Sequence, residues 1–183
     1  TIDVKLFGLV FDGGAIGKHN HEAAIRTGKS GWVVSHCIIR KCTGTGISMD
    51  GEGPRLIKTL IEDCQASGRG GNATRNGYEE GVTIRRCNFV TKFHDGGGGK
   101  LLKVIGYEMK DGDYTGNCGA ATWFDYKNQN VRVINCKFTD HVHWVESGAG
   151  YNVWGTGRGL YFEACYSGPI LVDGCTFEGN EGA

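Results

Sequence analysis

Proline, charge of one sign and long apolar runs are all scarce in this sequence. Only 2 prolines stand against 32 glycines. Glycine at that level without a collagen period implies many tight bends rather than a fibre. Lys and Arg together number 20, as do Asp and Glu. A balanced chain has no bulk attraction for nucleic acid or for an anionic membrane. Apolar runs last only a few residues, so neither a membrane span nor a signal peptide is predicted. Heptads are missing, which excludes a coiled coil, and so is the asparagine-and-leucine pattern of leucine-rich repeats. No Cys-x2-Cys pair occurs, so the spacing does not fit a zinc site, and no metal or cofactor is predicted.

What is present is a repeat. The chain has 8 cysteines, and five of them share one context: an aliphatic residue three positions before and, in all but one, Ile or Phe two positions after. These are Cys37, Cys64, Cys87, Cys136 and Cys175. Gly13 and Gly112 fill the same slot in two degenerate copies. The slots recur roughly every 24 residues, the length needed for about three short strands and three bends. Val82-Thr83-Ile84 and Val131-Arg132-Val133 alternate apolar and polar residues, as half-buried strands do. The predicted fold is all-β, a right-handed parallel β-helix of about seven coils forming one domain over 1–183. The cysteine slot then reads as an inward ladder of small residues at a bend, with buried thiols acting as small hydrophobes. Disulfides between adjacent coils stay open, chiefly for Cys42, Cys118 and Cys165 outside the ladder. The last interval is long, and the excess at 140–158 predicts a loop extruded between two coils, a common way for solenoids to build a binding face.

Residues at one offset from the slot stack on successive coils, about 4.8 Å apart. Some twelve residues before the slot, allowing one residue of slack, the column reads Arg75, Lys100, Asp125 and Glu163. Both carboxylates are wrapped in aromatics, in Thr122-Trp123-Phe124-Asp125-Tyr126 and Leu160-Tyr161-Phe162-Glu163. Carboxyls about 5 Å apart suit a retaining glycosidase, in which one attacks the sugar and the other protonates the leaving oxygen. Asp125 is the predicted nucleophile and Glu163 the predicted acid/base. Lys100 and Arg75 are predicted substrate contacts, and Trp123, Trp144, Tyr151 and Trp154 are candidates for stacking on sugar rings. His141, His143 and Glu146 in the inserted loop are candidate ligands or proton carriers, and His19, His21 and Glu22 could border the same face. A solvated, mutually neutralising charge ladder is the plain alternative for the whole column. Gly96-Gly97-Gly98-Gly99-Lys100 lacks the Ser or Thr and the following helix of a phosphate loop, so its glycines are expected to serve close backbone approach instead. Asn72-Ala73-Thr74 forms a glycosylation sequon, a triplet common by chance.

Three segments carry a family resemblance: Gly98 to Lys100, the run TWFDYKNQNVRVINCKF from Thr122, and GLYFEACYSGPILVDGCTFEGN from Gly159. They resemble right-handed β-helix repeat proteins that include β-helix glycoside hydrolases of the β-xylosidase type. In those enzymes a Trp-x-Asp segment supplies a nucleophile and a later Glu segment, followed by Gly-Pro, supplies the acid/base. The resemblance assigns these roles to Asp125 and Glu163, and matches the Gly-Gly-x-Lys element to Gly97, Gly98 and Lys100. The sequence departs from the family in its long insertion, in cysteine where the ladder usually has asparagine, and in its shortness.

Three functional readings follow. The first is retaining hydrolysis of a polysaccharide or oligosaccharide. The second is a polysaccharide lyase, with Lys100 or Arg75 taking a proton beside a uronate carboxylate. The third is a non-catalytic structural or adhesive β-helix, a filament or tailspike subunit that self-associates end to end. A carbohydrate partner implies an extracellular or periplasmic location.

Overall fold

The computed structural model describes residues 4–14, 22–29, 31–90, 96–143, 157–165 and 168–182. Every named strand pairs in parallel with the strand one coil away, and among the described residues the strands form three sheets. The first holds seven strands: Val4–Phe7, Trp32–Ser35, Arg55–Ile57, Tyr78–Glu80, Glu108–Lys110, Val131–Ile134 and Ile170–Asp173. The second also holds seven: Val10–Asp12, Ile38–Arg40, Leu60–Glu62, Thr83–Arg85, Asp113–Thr115, Lys137–Thr139 and Thr176–Glu178. The third holds six: Ala23–Arg26, Thr45–Ser48, Ser67–Asn72, Gly97–Leu102, Thr122–Asp125 and Leu160–Glu163. Each coil contributes one strand to each sheet in turn. The fold is the predicted right-handed parallel β-helix, with the last coil represented by two strands.

Strand alternation fills the interior. In the second sheet Ile39, Ile61, Ile84, Tyr114 and Phe138 point inward, stacked in register and fully buried. Tyr114, Phe138 and Phe177 stack face to face along this column at centroid spacings of 5.1 Å. Offset stacking at that distance adds to burial as the source of cohesion between coils.

The corners correct the predicted ladder. Between the first and second sheets each coil places one residue with positive φ and then a second that turns inward. His36 (φ 53°), Asn135 (φ 52°) and Gly174 (φ 61°) precede Cys37, Cys136 and Cys175 there. Between the second and third sheets the same device recurs, with Lys41 (φ 54°), Asp63 (φ 55°) and Arg86 (φ 52°) before Cys42, Cys64 and Cys87. The single predicted column of slots is therefore two columns at two corners. Both corners use one left-handed residue followed by a small buried one, so their local sequences look alike. Cys42, placed outside the ladder by the sequence reading, belongs to the second column. Further along that column Cys gives way to Asn117, His141 and Asn180, whose side chains accept the backbone N–H of the preceding coil's corner residue: Cys87 to Asn117 at 3.0 Å, Asn117 to His141 at 3.2 Å and His141 to Asn180 at 3.3 Å. All eight cysteines carry free thiols, and burial pushes the Cys136 thiol up to about 12, so the ladder is a packing element.

The interior also holds an ion pair. Arg69 and Glu79 are both completely buried, with Arg69 Nε 2.6 Å from Glu79 Oε1. The Tyr107 and Tyr114 hydroxyls donate to the two oxygens of Glu79, and an Arg69 terminal nitrogen donates to Thr122 Oγ1 at 3.0 Å. Burial, and then the Glu79 charge, hold both phenols protonated far above their ordinary range. This cluster explains one glycine of the run, and neighbouring backbone explains another. A Cβ at Gly99 would lie 2.7 Å from Arg69 Cγ, and one at Gly98 would lie 2.1 Å from the Ala121 carbonyl oxygen. The glycines serve close approach, as expected.

Candidate functional site

The third sheet differs from the other two in its connections. Along the sequence, the long connections at 13–22, 86–96 and 140–159 all fall between a strand of the second sheet and a strand of the third. Its outward positions carry the predicted site. Lys100 pairs in register with Trp123, and Trp123 with Tyr161. Two residues further on, Leu102, Asp125 and Glu163 pair in the same order. A step of two keeps side chains on one face.

Asp125 and Glu163 are thus direct neighbours on adjacent strands, at the ordinary interstrand spacing of about 4.8 Å. Lys100 is diagonal to Asp125 rather than in its row, and its Nζ lies 2.9 Å from Asp125 Oδ2. The ammonium also sits 3.6 Å from the centre of the Trp123 ring, held by the ring's negative face. Tyr161 lies against Trp123 from the next coil at 5.3 Å. Only 5% of Trp123 is exposed, and its indole N–H is buried with no hydrogen-bond partner among the described residues. With its surface covered, Trp123 is better suited to holding Lys100 than to the predicted stacking on a sugar. Tyr161, which the sequence reading did not single out, is partly exposed and carries the Arg158 guanidinium 4.5 Å from its ring centre.

Arg75 does not join this column. It lies at the corner between the third and first sheets, bridged to Glu52 and Ile105. The offset of Arg75 starts from Cys87, which belongs to the other corner. Counted from Val82, the residue at the matching corner, it lands on Gly70, the observed partner of Lys100. His141 is a structural residue: it is fully buried, its Nδ1 accepts from Asn117 and its Nε2 lies 3.0 Å from the Tyr114 carbonyl. Burial lowers its pKa to about 4. His143 is exposed, its backbone N–H donating to Glu181 at 2.6 Å. Trp144, Glu146, Tyr151 and Trp154, like His19 and His21, lie outside the described residues. Among the described residues no group of three or more His, Cys, Asp or Glu side chains is placed to hold a metal, and no helix is long and apolar enough to cross a membrane.

The family model for the right handed beta helix region matches residues 23–183. The chain belongs to this family. Among solved β-helix structures it is similar to the A-module of the Azotobacter vinelandii mannuronan C-5 epimerase AlgE4, with a TM-score of 0.62 and 9% identity over 96% of this chain and 51% of that one. The A-module of AlgE6 from the same organism gives a TM-score of 0.60 and 12% identity over 96% of this chain and 54% of that one. At these identities the likeness is one of fold. The chain spans about half the length of either module. No curated protein sequence matches it.

Proposed function

We propose that this β-helix protein is carbohydrate-active and binds a polysaccharide on the outer face of its third sheet, with retaining glycoside hydrolysis as its chemistry. The observation that carries the reading is the in-register pairing of Asp125 with Glu163 beside an Asp125–Lys100 contact of 2.9 Å. Retaining enzymes need two carboxyls about 5–5.5 Å apart, a spacing that adjacent strands supply. Lys100 stabilises the Asp125 carboxylate for attack on the anomeric carbon. Glu163 gives its proton to the leaving oxygen and then takes one from water. Tyr161 offers a partly exposed ring for the sugar. The similar folds include two modules whose names give mannuronan as the substrate, which supports a polysaccharide as the ligand class.

Reducing-end release from a panel of linear polysaccharides tests this. Glu163→Gln should abolish release from unactivated glycans while leaving binding in place. Hydrolysis of natural glycans by Glu163→Gln at the wild-type rate would overturn the assignment. The epimerase likeness favours one second reading, proton abstraction beside a uronate carboxylate with Lys100 in the site. An unsaturated product absorbing in the ultraviolet, without reducing-end release by water, would select it.

A further inference from the structure

We infer that the ligand is an extended linear polysaccharide lying parallel to the solenoid axis, and that Arg26, Asp50 and Asn72 form a distal subsite for it. This rests on the reading of Lys100, Asp125 and Glu163 as the reacting end. The outward row that contains Lys100 does not stop there. Arg26, Ser48, Gly70 and Lys100 pair in register on four successive coils, and Trp123 and Tyr161 continue the row. Five interstrand spacings of about 4.8 Å make a track of about 24 Å on one face. Each spacing is close to the length of one pyranose unit in an extended chain, so successive rings can meet successive coils.

The track is shaped between its ends. Ser48 and Gly70 carry almost no side chain, and a small trough opens there, with Arg26 at one end, Lys100 at the other, and Asp50 and Asn72 along one side. The wall is organised. Asp50 Oδ2 receives Arg26 Nε at 2.8 Å, while its Oδ1 accepts the Asn72 backbone N–H at 2.8 Å and the Ser48 hydroxyl at 3.2 Å. Three donors fix the Asp50 carboxylate at a site only 12% exposed by side chain. That carboxylate in turn fixes Arg26 through Nε alone, with 62% of the Arg26 side chain still open to solvent. A guanidinium held by one edge and presenting the other is pre-organised for sugar hydroxyls or carboxylates. Arg26 and Lys100 stand three coils apart, so one chain must span both clusters to use both.

The test measures binding by calorimetry to purified xylan, mannan, glucan, galacturonan and mannuronan fragments of two to eight units. For the glycan that binds, wild-type affinity should rise with length until about six units. Arg26→Ala should lower the ratio of eight-unit to two-unit affinity about tenfold, and Asp50→Asn should lower it in the same direction by releasing Arg26. An unchanged urea midpoint for Arg26→Ala separates this from misfolding. Affinity independent of length, or a ratio unmoved by Arg26→Ala, overturns the distal subsite and leaves the Asp125–Glu163 reading intact. Binding to none of the fragments overturns both.

Discussion

Two ion pairs lie on opposite sides of the third sheet, and they do opposite work. Arg69–Glu79 is sealed inside the solenoid, with both residues wholly buried and two phenols and a threonine around them. Lys100–Asp125 lies on the outer face at side-chain exposures of 10% and 19%, with a tryptophan beneath the ammonium. Arg69 pairs across coils with Gly99, the residue before Lys100, so a single step along one strand separates inside from outside. Each pair combines a cation, a carboxylate and aromatic neighbours. Residue types alone do not distinguish a clamp for the fold from a site for a ligand; the direction of the side chain does.

The largest effect should come from opening the inner pair. Glu79→Gln leaves a buried guanidinium without its counter-charge, and loss of one partner of a buried pair costs about 3–5 kcal/mol. Urea unfolding followed by tyrosine and tryptophan fluorescence measures it. Replacing both partners, Arg69→Met with Glu79→Met, should recover most of the loss because no charge is then stranded. A Glu79→Gln protein within about 1 kcal/mol of wild type would remove the distinction between the two pairs.

Burial also decides His141, which the sequence offered as a ligand or proton carrier. Its folded pKa of about 4 lies below the ordinary 6.5 because burial disfavours the charged ring. The unfolded chain therefore binds more protons between those values. The stability from keeping His141 neutral is complete above pH 6.5 and is lost as pH falls towards 4, by about 3 kcal/mol in all. Urea midpoints at pH 7.5 and 4.5 should differ accordingly. His141→Asn, which places at this corner the residue found there as Asn117 and Asn180, should flatten that part of the profile. A slope unchanged by the substitution would show that other groups carry it.

The coils and their approximate number were legible in the sequence because inward positions recur with apolar residues and each corner needs a small one. The pairing of Asp125 with Glu163 was legible because both lie in strands with aromatic neighbours, at offsets from the slot that differ by one residue. The two corners were merged because a left-handed residue followed by cysteine reads the same at either, and Arg75 followed from that merger. Arg69 and Glu79 escaped notice for a different reason. A charged residue in a glycine-rich strand looks solvated, and only the register shows that Gly99 and Tyr114 leave room for it inside.

The outer pair should respond in the opposite sense to the inner one. Lys100→Met keeps much of the packing against Trp123 while removing the charge. Its cost in stability should stay under about 1 kcal/mol, because the Asp125 it strands keeps access to water. Glycan binding or turnover should nevertheless fall by at least tenfold. Calorimetry and urea unfolding on the same preparation give both numbers. A stability loss as large as that of Glu79→Gln with ligand affinity intact would make Lys100 a second structural clamp.

The smallest effect belongs to a pair exposed on both sides. Arg40 donates to Asp12 through two nitrogens, at 2.6 and 2.9 Å, across adjacent strands of the second sheet. Its geometry is as short as that of Arg69–Glu79, but side-chain exposures of 37% and 44% leave both charges in contact with water. Water and salt then screen the attraction, and fixing the long side chain offsets part of what remains. Arg40→Ala should cost less than about 1 kcal/mol at low salt and almost nothing in 1 M sodium chloride, where the screening length falls to about 3 Å. The salt series matters more than the absolute value. If Arg40→Ala costs as much in high salt as in low, the loss comes from packing of the arginine stem over the strand. Pairing geometry would then predict nothing about energy at any of the three sites without the direction in which each side chain points.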